Sequence, residues 1–333
     1  MSETARPGSA RNPWLSWAAW RGLFRDRPII PLVGLLGVLV VVIQLVRPGM
    51  VNPEWAGVIL RAAVILAILA GCQTLTMLTG GIDLSVGAVA SMAGFVTATL
   101  VDSPGGLPVA IAVALAVAAL AGLLSGIGVG VFRVHPLIMT LGMSLVVLGF
   151  ANVWQLQMVQ TGAGVPDLFR WLGSGLSLGI VPNSLLVFVP LAVLILIALR
   201  RTGYGRLLYA IGDNPIAARL SGARGWQVLV VLYVISALLA AVAGFLLAGL
   251  TNIAAVTLAD SYVLPSVAAA VIGGTSIMGG RGGFGGTIVG ALILTVLSSL
   301  LSALGFPEAV RQVLFGSIIV AVAAAYTRIT SES

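Results

Sequence analysis

The chain has 333 residues, 59% hydrophobic and 8% charged, with a net charge of +7. A water-soluble domain of this size carries about 25% charge, so this composition excludes a solvated globule and describes a chain surrounded by lipid. All 17 basic residues are arginine; without lysine there is no GxxxxGK[ST] phosphate loop and no Schiff-base amine, so any ATP used here is hydrolysed by another polypeptide.

The remaining reactive residues are few. Cys72 is the single cysteine, which excludes an intramolecular disulfide and a cysteine-based zinc cluster. His135 is the single histidine, which excludes HExxH and other His-rich metal sites. It lies in a short polar link with Arg133 and Pro136, where a solvated interfacial side chain belongs. No catalytic, metal or cofactor residue is expected, and the chain reads as a non-enzyme.

In chain order, residues 1–27 form an arm bearing Arg6, Arg11, Arg21, Arg25 and Arg27. The apolar run that follows, Pro28 to Val46, is longer than the 7–15 residues of a cleavable signal and reads as a retained first span. Windows long enough for about 30 Å of hydrocarbon then fall at 57–78, 84–101, 107–131, 137–157, 183–200, 227–250, 264–279, 285–304 and 309–327. The expectation is an all-α membrane protein of about ten transmembrane helices spanning 28–327, with a tail at 328–333. The third window begins at glycines and the eighth is short, so both are candidates for broken or re-entrant helices, which need protein or a cavity around their backbone.

Counting arginines orients the chain. With a cytoplasmic N-terminus, the inner links hold the five arm residues, Arg133, Arg200, Arg201, Arg206, Arg219, Arg224, Arg281 and Arg328, against Arg47, Arg61, Arg170 and Arg311 outside. This is the positive-inside pattern and places both termini in the cytoplasm. Arginines set by topology need no nucleic acid, and none is expected as a partner.

Glycine serves packing. Gly122, Gly126 and Gly130 repeat every fourth residue in the fourth window, as do Gly282, Gly286 and Gly290 at the start of the ninth; such stripes let helix backbones approach closely. "GGRGGFGG" accordingly reads as a packing and turn element. The outer link 158–182, with Asp167, Trp171 and Pro182, reads as a cap or a loop. The inner link 201–226 carries helix grammar: Asn214 as cap, Pro215 at the first helical position, "IAARLS" as about two turns and Gly222 as terminator. Its alanines, Ala217 and Ala218, offer a nearly flat face for another protein's backbone; the other reading is an interfacial helix lying on the bilayer, against which its small size and weak amphipathicity count.

Four stretches, "LTGGIDLSVGAVASMAG" (78–94), "PLIMTLGMSLVVLG" (136–149), "AIGDNPIAARLSGA" (210–223) and "AAVIGGTSIMGGRGGFGGTIVGALI" (269–293), resemble the signatures of bacterial ABC-importer permeases of the ribose type. The similarity runs unbroken over roughly 57–327, and a more distant group includes branched-chain amino-acid permeases. The resemblance implies an inner-membrane permease for a monosaccharide such as ribose, xylose or galactose. It also implies a cytoplasmic ATP-binding-cassette ATPase, a periplasmic sugar-binding protein, and a second copy or a similar sister chain sharing the path. Through the family's ATPase-contacting loop it implies that Asp213, Asn214, Ala217, Ala218, Arg219, Ser221 and Gly222 form a short cytoplasmic coupling helix. Where many relatives carry carboxylates before "AAVIGGTS", this chain has "DSYVLPSV" with Tyr262, Pro265 and Ser266, which leaves the sugar open.

Two readings remain open for Asp83 and Ser85 in "TGGIDLSVGA": a helix cap that complements the dipole of the following span, or contact with sugar hydroxyls from a glycine-broken helix beside the path. Gln73, Thr140, Ser144, Asn152, Gln155, Thr275 and Ser276 likewise either line a hydrophilic path or bond helices to one another. Other functions also stay in view. A same-superfamily permease for a nucleoside, autoinducer or branched-chain amino acid shares these motifs. A secondary transporter needs carboxylates deep in spans, of which only Asp83 is near.

Overall fold

The computed structural model describes residues 29–102, 106–158, 164–177, 179 and 181–331. The N-terminal arm 1–27 with its five arginines, residues 159–163 of the outer link and the last two residues of the tail lie outside them.

Each of the ten apolar windows holds a helix: α1 (Ile29–Val46), α2 (Pro53–Met77), α3 (Val86–Leu100), α4 (Gly106–Gly130), α5 (Pro136–Met158), α7 (Leu185–Arg201), α10 (Gly225–Thr251), α11 (Val263–Ile272), α12 (Phe284–Ala303) and α13 (Glu308–Ser331). The outer link adds α6 (Asp167–Gly173), and the inner link adds α8 (Gly203–Asp213) and α9 (Pro215–Leu220). Among the described residues six helices are long and apolar enough to cross a membrane, and a seventh span arises if α7 and α8, bent by 67°, count as one. Thr202 makes that bend, donating to the Ala198 carbonyl at 2.6 Å and capping α8 through the Gly205 amide at 3.1 Å. The last helix runs on to Ser331, so the expected tail from residue 328 begins as helix.

The third and eighth windows differ from the others in length. With 15 and 10 residues, α3 and α11 extend about 22 and 15 Å, short of the roughly 30 Å core. Both are sunk in protein: Val86 to Thr99 are all buried, as are Ser266 to Val271. Of the irregular segments beside them, 78–85 buries Leu78, Gly81, Asp83 and Ser85, and 273–283 buries Gly273, Thr275, Ser276 and Gly279, as non-helical backbone near a membrane requires.

Packing is backbone against backbone where glycine permits it. On α4, a Cβ at Gly122 would lie 2.5 Å from the Tyr233 carbonyl oxygen, one at Gly126 2.6 Å from the Val230 Cα, and one at Gly130 2.9 Å from the Trp226 carbonyl oxygen. The expected stripe is thus the seam with α10. Gly286 and Gly290 of α12 likewise meet the carbonyls of Gly273 and Ala269 at the end of α11. Across the bundle, Gly244 of α10 abuts Ala90 of α3.

Among its described residues the outer link carries secondary structure. A two-residue hairpin, β1 (Leu176–Ser177) with β2 (Val181–Pro182), follows α6, whose Phe169 stacks on Phe245 of α10 with ring centroids 4.8 Å apart.

The two ends of the bundle treat arginine differently. At one end Arg47 donates to the Ala303 carbonyl, Arg61 to those of Gly57 and Ser174, Arg170 pairs with Asp167, and Arg311 pairs with Glu308. At the other end, the guanidiniums of Arg133, Arg200, Arg201, Arg206, Arg219, Arg224 and Arg281 have neither a hydrogen bond nor an ion pair among the described residues.

Candidate functional site

At the arginine-rich end the inner link folds as its sequence dictates. Asn214 Oδ1 accepts the amides of Ile216 and Ala217 at 3.1 and 2.9 Å, Pro215 occupies the first helical turn, and Gly222 takes φ +87°. The Ala223 amide reaches back to the Ala218 carbonyl at 3.1 Å, closing a Schellman turn that needs a residue free to adopt left-handed backbone. Asp213, Asn214, Ala217, Arg219, Ser221 and Gly222 are exposed, whereas Ala218 is buried. The expected flat face of two alanines is therefore split. Consecutive helical residues point about 100° apart, so when Ala218 packs inward only Ala217 looks out. Grooves of about 1190 and 660 Å³ flank α9 on its two sides.

Beneath α9 three of the four signature stretches meet. Gly212, on the last turn of α8, rests on the Leu78 carbonyl, and a Cβ there would fall 2.5 Å from the Gly280 nitrogen. The Gly280 amide itself donates to that Leu78 carbonyl at 3.0 Å. A Cβ at Gly280, where φ is +71°, would lie 2.9 Å from the Asp213 Cα. Tyr209 adds a bond from its hydroxyl to the Gly282 carbonyl at 2.9 Å. The link is thus clamped to the turn after α2 through backbone contact, and to the turn before α12 through backbone contact and the Tyr209 side chain.

The fourth stretch joins through a buried polar network. Asp83 is 2% exposed. Its Oδ1 accepts the Ser85 hydroxyl at 2.6 Å and the Ser85 amide at 3.0 Å, and its Oδ2 accepts the Ser236 hydroxyl of α10 at 2.8 Å. Gln73 of α2 holds the Asp83 backbone on both sides, donating to its carbonyl at 2.8 Å and accepting its amide at 3.2 Å. Thr140 of α5 accepts the Leu84 amide at 3.0 Å, with its hydroxyl near the carbonyls of Ile82 and Pro136. The structure therefore brings Gln73, Asp83, Ser85 and Thr140 together. Each is buried and bonded within the chain, and the Asp83 carboxylate receives an amide at the start of α3.

The other polar candidates lie apart. Thr275 and Ser276 are buried in the 273–283 turn, where Ser276 Oγ accepts the Met278 amide at 3.2 Å and Thr275 Oγ1 has no partner. Ser144 is half-buried on α5, and Asn152 and Gln155 are exposed further along it. Ser236, Leu78, Gly280 and Tyr209 escaped the sequence reading. Ser236 sits in an apolar run with nothing to mark it, and the others act through contacts between segments far apart in the chain.

Comparison with known proteins gives the family of the chain. Residues 56–323 match the family described as "Branched-chain amino acid transport system / permease component". Among curated proteins, the chain is 37% identical to the ribose import permease protein RbsC of Bacillus subtilis, over 87% of this chain and 89% of that one. It is 36% identical to the galactofuranose transporter permease protein YtfT of Escherichia coli, over 79% and 77%. The fructose import permease protein FrcC of Rhizobium meliloti is 31% identical, over 79% and 74%. No solved structure matches. With the family match covering most of its length and the clamped inner link in place, this chain belongs to that family of membrane transport permeases.

Proposed function

We propose that this chain is the membrane-spanning permease subunit of an ATP-binding-cassette importer that carries a monosaccharide of the ribose, galactofuranose or fructose kind into the cytoplasm. The observation that carries the reading is the seat of Gly212 on Leu78 and Gly280. A short exposed helix, capped at both ends, is coupled by backbone contact to the two turns that lead into α3 and α12. Force applied to α9 by an ATPase reaches those turns without loss in flexible side chains, so a cytoplasmic ATPase has a handle on the spans. Asp213, Asn214, Ala217, Arg219, Ser221 and Gly222 are the residues it grips, with Ala218 packing the helix down. The arginine-rich end is then cytoplasmic, as is each terminus, and a sugar-binding protein delivers from the opposite face.

Within this reading the polar groups divide in two. Gln73, Asp83, Ser85 and Thr140 spend their hydrogen bonds within the chain and hold the start of α3 in place. Asn152 and Gln155 sit on the exposed face of α5, where Gly142 and Gly149 have nothing within 4 Å of a Cβ position. Amides exposed beside bare glycines suit a wet seam more than hydrocarbon, so α5 faces a second permease copy, with the sugar passing between and exchanging water for protein hydrogen bonds.

Uptake in proteoliposomes tests the proposal. With the ATPase and binding protein supplied, one labelled pentose or hexose accumulates only when ATP and all three proteins are present. Flux through this chain alone, driven by an ion gradient, would replace the reading with a secondary transporter.

A further inference from the structure

The larger groove beside α9 has a charge pattern of which the transport reading uses only Arg219. Its lining includes Arg133 from the α4–α5 link, Arg219 of α9 and Arg224 just before α10, and no carboxylate. None of the three guanidiniums has a hydrogen bond or ion pair among the described residues. Arg133 holds a left-handed backbone conformation, φ 56°, at the end of α4, a position where glycine or asparagine is ordinary. The surroundings of the groove are apolar: Phe132, Ile216, Leu220 and Trp226 are 73, 71, 84 and 49% exposed.

Three unpaired cations inside an apolar, aromatic rim fit an amphiphile with an anionic head. A track for its tail continues from the groove. Leu120, Leu124, Ile127 and Val131 fall on one stripe of α4, with Leu120, Leu124 and Val131 exposed, and the stripe runs about 16 Å toward the middle of the membrane. The Trp226 ring, amphipathic and half exposed, stands where such rings settle at headgroup level.

We propose that this groove binds the phosphodiester headgroup of an anionic phospholipid, with an acyl chain laid along α4. Arg133 and Arg224 contact the phosphate, and the lipid wedges between α9 and the α4–α10 seam. The lipid thereby braces the coupling helix against the bilayer surface. The inference rests on the membrane-spanning part of the proposed function and is independent of the sugar, the ATPase and the direction of transport.

The test uses the purified full-length permease alone, delipidated and then incubated with equal amounts of phosphatidylglycerol and phosphatidylethanolamine, with retained lipid counted by native mass spectrometry. Wild type retains phosphatidylglycerol in excess. Removing positive charge weakens that preference by about fivefold for each guanidinium, so Arg133→Gln with Arg224→Gln brings the two lipids close to parity, while Arg133→Lys with Arg224→Lys keeps most of the excess. Quenching of tryptophan fluorescence by brominated phosphatidylglycerol, with Trp226→Phe removing the increment, reads the same site even if the double glutamine variant fails to fold. Equal retention of the two lipids by wild type, or an excess unchanged in the double glutamine variant, would overturn the proposal. So would equal binding of soluble glycerol phosphate, or loss of the lipid on adding the ATPase, which would assign the groove to that protein.

Discussion

Ser236 of α10 donates its hydroxyl to the Asp83 carboxylate at 2.8 Å, joining residues 153 positions apart in the chain. Asp83 thereby ties the start of α3, through the amide and hydroxyl of Ser85, to the middle of α10. Asp83→Ala leaves the Ser236 and Ser85 hydroxyls buried without an acceptor and costs about 2–4 kcal/mol. Asp83→Asn keeps one acceptor oxygen and costs less. Thermal unfolding in detergent should rank wild type, Asn and Ala in that order, and Asp83→Asn should retain uptake; complete loss of uptake in a folded Asn variant would instead give the charge a role in the path.

Gly212→Val places a side chain into the Leu78 carbonyl and the Gly280 nitrogen. The link must lift off both turns, at a cost of about 1–3 kcal/mol if the bundle survives. The expected outcome is a folded permease whose sugar-stimulated ATP hydrolysis is lost, measured in the assembled complex. Normal stimulation would mean that force travels by another route.

Ala217→Trp acts on the other side of the same helix. Because Ala217 is exposed and Asn214 and Gly222 hold the helix ends, a bulky residue there leaves the fold intact while blocking close approach of the ATPase. Co-purification of the two subunits should fail. Asn214→Ala, by contrast, frays the helix itself at about 1 kcal/mol and should weaken rather than abolish association.

Two glycines of adjacent helices make opposite predictions. Gly126→Leu drives a side chain into the Val230 backbone at the α4–α10 seam and should prevent folding. Gly142→Leu on α5 meets nothing within 4 Å in the single chain, so the monomer folds and any defect belongs to pairing with a second copy. Cysteine cross-linking from Asn152→Cys reads that pairing, since the native Cys72 is fully buried and does not compete.

Local chemistry made parts of this fold legible in the chain. Asn214, Pro215 and Gly222 announced α9 because capping and termination involve neighbours within a few residues, and the Gly122–Gly126–Gly130 stripe announced a close helix crossing because its period is that of the helix. The identity of what lies opposite is a different matter. Nothing near Gly212 names Leu78 or Gly280, and nothing in the apolar run of α10 distinguishes Ser236 from a hydroxyl bonded to its own helix. Asp83 was legible as a helix-start residue, but its bond to α10 depends on how α2, α3 and α10 assemble.

The glycine seam also says where the molecule is able to open. With backbones in contact at Gly122, Gly126 and Gly130, α4 and α10 have no side-chain layer that could slide or repack, so they turn as one rigid plank. Helix α5 is held differently: apart from Thr140, its buried residues are Met143, Val147 and Ala151, about one per turn along a single edge. Two bonds tie that edge to the start and end of α3, the Leu84 amide on Thr140 and the Trp154 indole on Thr99 at 2.9 Å. In the importer proposed above, the plank is the element that carries load and α5, held by this one edge, is the element that parts.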